Sequence, residues 1–219
     1  MQSQTHPFPR SGVKAATSLA NPGIEWIWRL ALLNLLWIGL TLAGGVILGL
    51  FPATNAVYVV MRRWLVHPET RDQSSIRAMT AAWRDGFWRA NALGWALTVV
   101  GALLAYGLWL SIGNPGVVGS VAFYVLVIVA AMFCATLIHL PFVAAHLEAG
   151  GIRLVRAAWM LALAQPFATL GLAAVFIGLS YLQAAAPALL LFASLSPLAL
   201  VTTILDLRTF EAAIRRSKQ

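Results

Sequence analysis

Residues Asn91 to Leu147, NALGWALTVVGALLAYGLWLSIGNPGVVGSVAFYVLVIVAAMFCATLIHLPFVAAHL, contain no lysine, arginine, aspartate or glutamate, and residues 157–205 contain none either. A charge at the centre of a bilayer costs roughly 2.5–3.5 kcal/mol on insertion scales, so runs this long mark chain inside hydrocarbon. All 15 Lys and Arg lie elsewhere, in four groups: Arg10 to Arg29, Arg62 to Arg89, Arg153 with Arg156, and Arg208 to Lys218. With 60% hydrophobic and 10% charged residues and a mean hydropathy of +0.81, a soluble globular protein is excluded. The 219 residues leave room for five or six spans of ~20 residues each and none for a separate soluble domain. The expected fold is all-α, a polytopic transmembrane helical bundle with interfacial amphipathic helices.

Three blocks organise the chain. Residues 1–23, rich in Ser, Pro, Gln and Thr, read as a disordered tail. The apolar run behind them is too long for a signal-peptide core, so it reads as a first transmembrane helix and no cleavage is expected. Residues 24–207 form one helical domain, and 208–219 a basic cytoplasmic tail in which Leu207, Phe210 and Ile214 make an apolar stripe.

As one helix, Ile24 to Leu65 would be about 63 Å long, twice the hydrocarbon thickness, so a bend or reversal is expected between Ala43 and Ala53. Pro52 suits the first turn of the returning helix. That leaves a first span at Ile24–Val46 and a shorter element at Pro52–Trp64, which either crosses or re-enters the membrane. Ala92–Ile112 and Val117–His146 form a hairpin about the uncharged turn Gly113–Gly116. Leu154–Tyr181 and Ala188–Leu205 repeat the plan, with Gln165-Pro166 as a kink or helix start. Ser75–Ala90 places Ile76, Met79, Trp83 and Phe87 on one face, which predicts a helix lying in the interface. Gly151–Trp159 is a shorter version.

Charge then orients the chain. The uncharged turns oppose basic connections, so Arg62, Arg63, Arg77, Arg84, Arg89, Arg153 and Arg156 form a cytoplasmic surface by the positive-inside rule. Six crossings with both termini inside fit this better than five. The net charge of +8 flanks apolar segments, which fits an anionic leaflet and argues against nucleic acid. Tryptophans near the boundaries, among them Trp26, Trp28, Trp64, Trp83, Trp88 and Trp159, read as an aromatic belt.

Polar groups inside the apolar runs are few. Glu25 and Arg29 pair one turn apart at an interface. Asp206 and Arg208 are also read as interfacial. Asn34, midway along the first span, needs a partner on another helix, and Asn55 is the expected one. Helix–helix bonding is the bland reading of this pair and a path lining the alternative. His139 and His146 share a face, which allows a proton relay, while no spacing of ligands supports a metal. Cys134 reads as a packed thiol, and Gly45 with Gly49, Gly94 with Gly101, and Gly171 with Gly178 as close-packing pairs. Neither a catalytic constellation nor a nucleotide-binding loop is present in the sequence, so no enzyme, cofactor or catalytic residue is expected.

The elements Arg29-Leu-Ala-Leu-Leu-Asn34-Leu-Leu-Trp37, Gly49-Leu-Phe-Pro52-Ala-Thr54-Asn-Ala56, Arg62-Arg63-Trp64-Leu65 and Phe87-Trp-Arg-Ala-Asn91-Ala-Leu-Gly94 resemble the bacterial YesL-type membrane proteins, a family of unknown function. The resemblance covers about residues 25–95, with Asn55 standing where many relatives carry a small residue. Gly49, Pro52 and Thr54 mark the motif's turn, and Asn34 is placed to bond frayed backbone near Pro52. It implies a multi-pass protein of the bacterial cytoplasmic (inner) membrane. Genes of the family often neighbour carbohydrate ABC importers, so the implied role is a non-enzymatic accessory or regulatory component of carbohydrate import. Its expected partners are the lipid bilayer, importer subunits or a second copy. The alternative is a small transporter or channel in its own right.

Overall fold

The structure, a computed structural model, describes residues 22–68, 71, 74–114, 116–147, 149–186, 189 and 194–217. Seven helices are described: α1 (Pro22–Ala43), α2 (Leu50–Val66), α3 (Ser75–Ile112), α4 (Val117–His146), α5 (Gly151–Ala164), α6 (Pro166–Ala185) and α7 (Ser196–Ser217). The described residues contain no strand. Four helices are long and apolar enough to cross a membrane: α1, α3, α4 and α6. Of the tail expected at 1–23, residues 1–21 lie outside the described residues, while Pro22 and Gly23 already belong to α1. The first part of the expected sixth span, apart from Leu189, and the side chains of the C-terminal stripe beyond Arg208 also lie outside the described residues.

The first block reverses where the sequence requires it. Gly45 and Val46 both take positive φ, 71° and 64°, and turn the chain between α1 and α2. Glycine adopts that conformation freely, whereas β-branched Val46 holds it against its own preference. Gly49 closes the turn, since a Cβ there would sit 2.2 Å from the Thr41 carbonyl oxygen. The two helices then run antiparallel. Trp37 Nε1 donates to Thr54 Oγ1 at 3.1 Å, and Trp26 meets Trp64 edge-on with ring centroids 6.4 Å apart. Gly45 and Gly49 thus build a turn rather than a helix-packing face.

The short α2 is the innermost element, packed on α1, α3, α4 and α7. Ala53, Ala56, Val57, Tyr58, Val60, Met61 and Trp64 are all buried on it. Small residues at 53 and 56 let neighbouring helices approach closely, which is what holds helices together where lipid is as apolar as the interior. Trp64 and Trp26 therefore belong to the core cluster, not to a belt, while Trp28 and Trp88 do face outward.

Three sequence expectations are corrected here. Ser75–Ala90 is no separate interfacial helix. It continues without a break into the next span, and the 38 residues of α3 rise about 57 Å. Its apolar face turns partly onto protein, with Met79 fully buried and Trp83 half-buried. Cys134 is exposed on the bundle's outer face rather than packed. Gly171 and Gly178 also approach nothing within 4 Å, so they are not contact glycines.

Register fixes how deep the first hairpin reaches. The Asn91 amide donates to the Leu48 carbonyl in the α1–α2 turn at 2.9 Å. Residue 91 stands 21 residues before the end of α3, which is about 30 Å along the helix. The α1–α2 turn and the α3–α4 turn are therefore about 30 Å apart along α3.

Candidate functional site

Prolines leave carbonyls without donors, and two polar side chains answer them. Pro52 lacks the N–H that would bond Leu48 O four residues back, and Asn91 Nδ2 supplies the missing donor. Pro166 opens α6 and likewise orphans Ala162 O. The Thr169 hydroxyl faces Ala162 O at 3.3 Å and Gln165 O at 2.9 Å. Without such partners each group would cost several kcal/mol in lipid. The expectation that Asn34 serves the Pro52 break is corrected: Asn91 does.

Thr169 leads into a buried polar network. His139 Nε2 lies 3.0 Å from Thr169 Oγ1, and His139 Nδ1 lies 3.0 Å from both oxygens of Asp206. Both side chains of the His139–Asp206 pair are fully shielded. Four residues before Asp206, Thr202 donates to Leu198 O at 2.8 Å, and buried Tyr58 of α2 lies close to both Thr202 and Asp206. Helices α2, α4, α6 and α7 thus converge on one cluster. Asp206 is therefore buried within the protein rather than exposed at its surface, so the bundle carries an ionisable acid in its interior.

Hydrogen counting limits the protonation states. When Thr169 spends its one proton on Gln165 O, His139 Nε2 must donate to Thr169. His139 Nδ1 then either donates to a carboxylate, as an imidazolium, or accepts from a protonated Asp206. Both forms are neutral as a pair, and they differ by one proton moving along the Nδ1···Oδ contact. Loss of that proton requires the Thr169 hydroxyl to rotate onto Nε2, away from Ala162 O and Gln165 O, while Gln165 O keeps the Thr169 N–H as a donor at 2.9 Å.

The other sequence candidates separate. Asn34 Oδ1 accepts from Ser194 Oγ at 2.8 Å and from the Leu195 N–H at 3.0 Å, just ahead of α7. Asn55 is not its partner. It faces α3, where its amide nitrogen is the nearest atom to Gly86, and its buried Oδ1 finds no donor. His146 does not join His139. Its ring lies against Phe142, centroids 4.0 Å apart, with Nδ1 on the Phe142 carbonyl. No group of three metal-ligating side chains occurs among the described residues.

The basic residues gather at one end of the bundle. Arg62 Nη1 donates to Ala145 O at 3.2 Å and Arg89 Nη2 to Ala149 O at 2.8 Å, drawing the ends of α2 and the middle of α3 to the α4–α5 connection. Arg29 and Arg71 flank the Trp26–Trp64 pair, their guanidinium carbons 5.7 and 5.1 Å from the Trp64 and Trp26 rings respectively. Arg77, Arg84, Arg153 and Arg156 are exposed, and Arg63 is half-buried.

The motif residues also lock to one another. Besides the Asn91–Leu48 and Trp37–Thr54 bonds, Gly94 receives the Phe51 ring, and a Cβ there would lie 2.3 Å from it. Comparison with known proteins matches this same region: residues 30–108 fit the profile of the family described as "Protein of unknown function, DUF624". Three uncharacterized proteins of Bacillus subtilis (strain 168) are similar. YesL is 28% identical over 197 residues, 89% of this chain and 90% of its own length. YteU is 36% identical and YesV 32%, each over 83 residues, and the chain spans only 35% and 39% of their lengths. The chain is thus similar to YesL over most of its length, and to this family of unknown function over residues 30–108. No solved structure matches it.

The family match covers most of α1, all of α2 and most of α3, so the YesL-type motif is the set of contacts that seats the first hairpin on α3. His139, Thr169 and Asp206 lie outside the family match. Sequence reasoning missed Asp206 and passed over Asn91 as a site, although the second was open to a simple rule: a proline in an apolar helix orphans a carbonyl four residues back.

Proposed function

We propose that this YesL-type protein is a non-enzymatic accessory component of a transport system, docked through its basic end. The observation that carries the reading is the convergence of arginines from separate segments on one end, with Arg77, Arg84, Arg153 and Arg156 exposed there. A multi-segment cationic surface suits an acidic face of partner subunits or an anionic leaflet. The family resemblance supplies the transport class, an ATP-driven carbohydrate importer. In this reading the chain sits in the cytoplasmic membrane with both termini inside, supported at the N-terminal side by a hairpin that returns α1 and α2 to the end they left.

In this reading α3 and α4 cross the membrane while the α1–α2 hairpin re-enters, its turn held about 30 Å short of the α3–α4 turn. Single cysteines placed at Ile47 and Asn114 in a Cys134→Ser background test this. Asn114 is expected to react with a membrane-impermeant thiol reagent from outside the cell, and Ile47 not. Equal labelling of both sites would defeat the re-entrant arrangement.

Docking is tested by reversing Arg77, Arg84 and Arg156 to Glu, residues free of the internal bonds that hold Arg62 and Arg89. Wild-type protein purified in mild detergent should retain importer subunits in stoichiometric amounts, and the triple variant should lose them while keeping its melting temperature. Retention by the variant would remove this surface from consideration. A second reading, a proton-coupled transporter, is favoured by the His139–Asp206 cluster, because ionisable groups within a bundle commonly mark proton paths.

A further inference from the structure

Between α2, α3 and α4 lies a cavity of about 800 Å³, within the range of roughly 300–1,000 Å³ that small-molecule sites occupy. Most of its wall is apolar, built from side chains such as Leu97, Phe133 and Leu137. Polarity is confined to a few positions. Among the described residues Arg89 is the one charged residue in its lining, and Asn55 is part of the same wall. Asn55 Oδ1 is buried and without a donor among the described residues, whereas Thr54 and Thr98 have already given their hydroxyl protons to Leu50 O and Gly94 O. The Arg89 guanidinium has spent one nitrogen on Ala149 O and keeps further donors in its fork.

Among the described residues the site is thus a long apolar space with a cation and an orphan acceptor as its unspent polarity. Water alone fits it poorly, because most of the wall offers no partner. A sugar fits it no better for the same reason. An apolar chain whose head is both anionic and a hydroxyl donor fits every part: the chain in the cavity, the anion on Arg89, and a hydroxyl donating to Asn55 Oδ1. In a protein whose surrounding solvent is lipid, such molecules are the medium itself.

We infer that the cavity binds one membrane lipid with an anionic, hydroxyl-bearing head group of the phosphatidylglycerol class. The lipid completes the wall between the first hairpin and α3–α4, and it does so independently of which partner the basic end docks.

Delipidated full-length protein, exposed in detergent to equal amounts of phosphatidylglycerol and phosphatidylcholine, tests this by native mass spectrometry. One phosphatidylglycerol per chain is expected, preferred about tenfold, the effect of one charge-assisted contact. Arg89→Gln should bring the preference to within about twofold while a lipid is still retained. Leu97→Trp should fill the space and abolish retention of both lipids. If that variant does not elute and melt like wild type, Leu137→Trp fills the same cavity from α4. Glycerol 3-phosphate added at millimolar concentration should not displace the lipid. No retained lipid, equal retention of both lipids, or a preference untouched by Arg89→Gln would overturn the assignment. Displacement by the free head group would overturn it too, making the site one for a soluble phosphate.

Discussion

Asp206→Leu is expected to lower unfolding stability by about 3–5 kcal/mol, the usual cost of stripping one member from a buried pair. His139 then keeps a buried Nδ1 with nothing opposite it. The double variant His139→Leu with Asp206→Leu should recover most of that loss, because replacing both partners by apolar groups removes the desolvation cost together with the bond. Denaturant titration in micelles measures all corners of this cycle, and the coupling energy isolates the pair. A single variant within ~0.5 kcal/mol of wild type, or a double variant as unstable as the sum of the singles, would show that the two side chains do not share a proton or a bond. Asp206→Asn sharpens the test. It retains an acceptor for His139 Nδ1–H and should lose only about 1–3 kcal/mol, from its buried amide donors. It cannot take up or release a proton. If the cluster relays protons, this variant keeps its fold and loses any proton-driven flux, whereas a purely structural pair leaves flux in proteoliposomes intact.

How much of this was legible follows from what each feature depends on. The helices and the basic end were readable because the penalty for charge in lipid acts on each residue separately and needs no knowledge of neighbours. The reversal near residues 44–49 was readable for a similar reason: 42 residues of helix exceed any bilayer. The error over Asp206 came from the same rule. One residue beyond a charge-free run and two before Arg208, an aspartate looks interfacial, and only a partner 67 residues away takes it inside. Asn34 and Asn55 illustrate the limit most clearly. Their antiparallel register, set by Trp37 on Thr54, places them at nearly the same level. They nonetheless face different helices, α7 and α3, and direction around an axis is decided by the packing of the whole bundle. The depth of the first hairpin is hidden for a related reason, since composition says which residues enter lipid but not against which turn of a neighbour they stop.

Gly94→Ala is expected to destabilise the protein by about 1–3 kcal/mol, against the general preference for alanine in helices. A methyl group there would meet three carbons of the Phe51 ring at 2.3–2.5 Å, and Phe51 is held in turn by an edge-on contact with Trp95, centroids 5.7 Å apart. The ring cannot yield without moving α2 or α3. Gly171→Ala is the reference, because nothing lies within 4 Å of its added carbon, and it should gain about 0.5–1 kcal/mol from helix propensity alone. In a Phe51→Ala background the Gly94 substitution should change sign and also stabilise, since the obstruction is gone. Unfolding curves of the four proteins decide it: Gly94→Ala stabilising the wild-type background would mean that Phe51 does not sit on α3 as described. The consequence reaches past packing. Phe51 on Gly94 and Leu48 on Asn91 are neighbouring contacts of one register, and that register sets both how far the first hairpin penetrates and how wide the cavity beside Asn55 stands open. Gly94 therefore bears on whatever the cavity holds, without touching it through a side chain of its own.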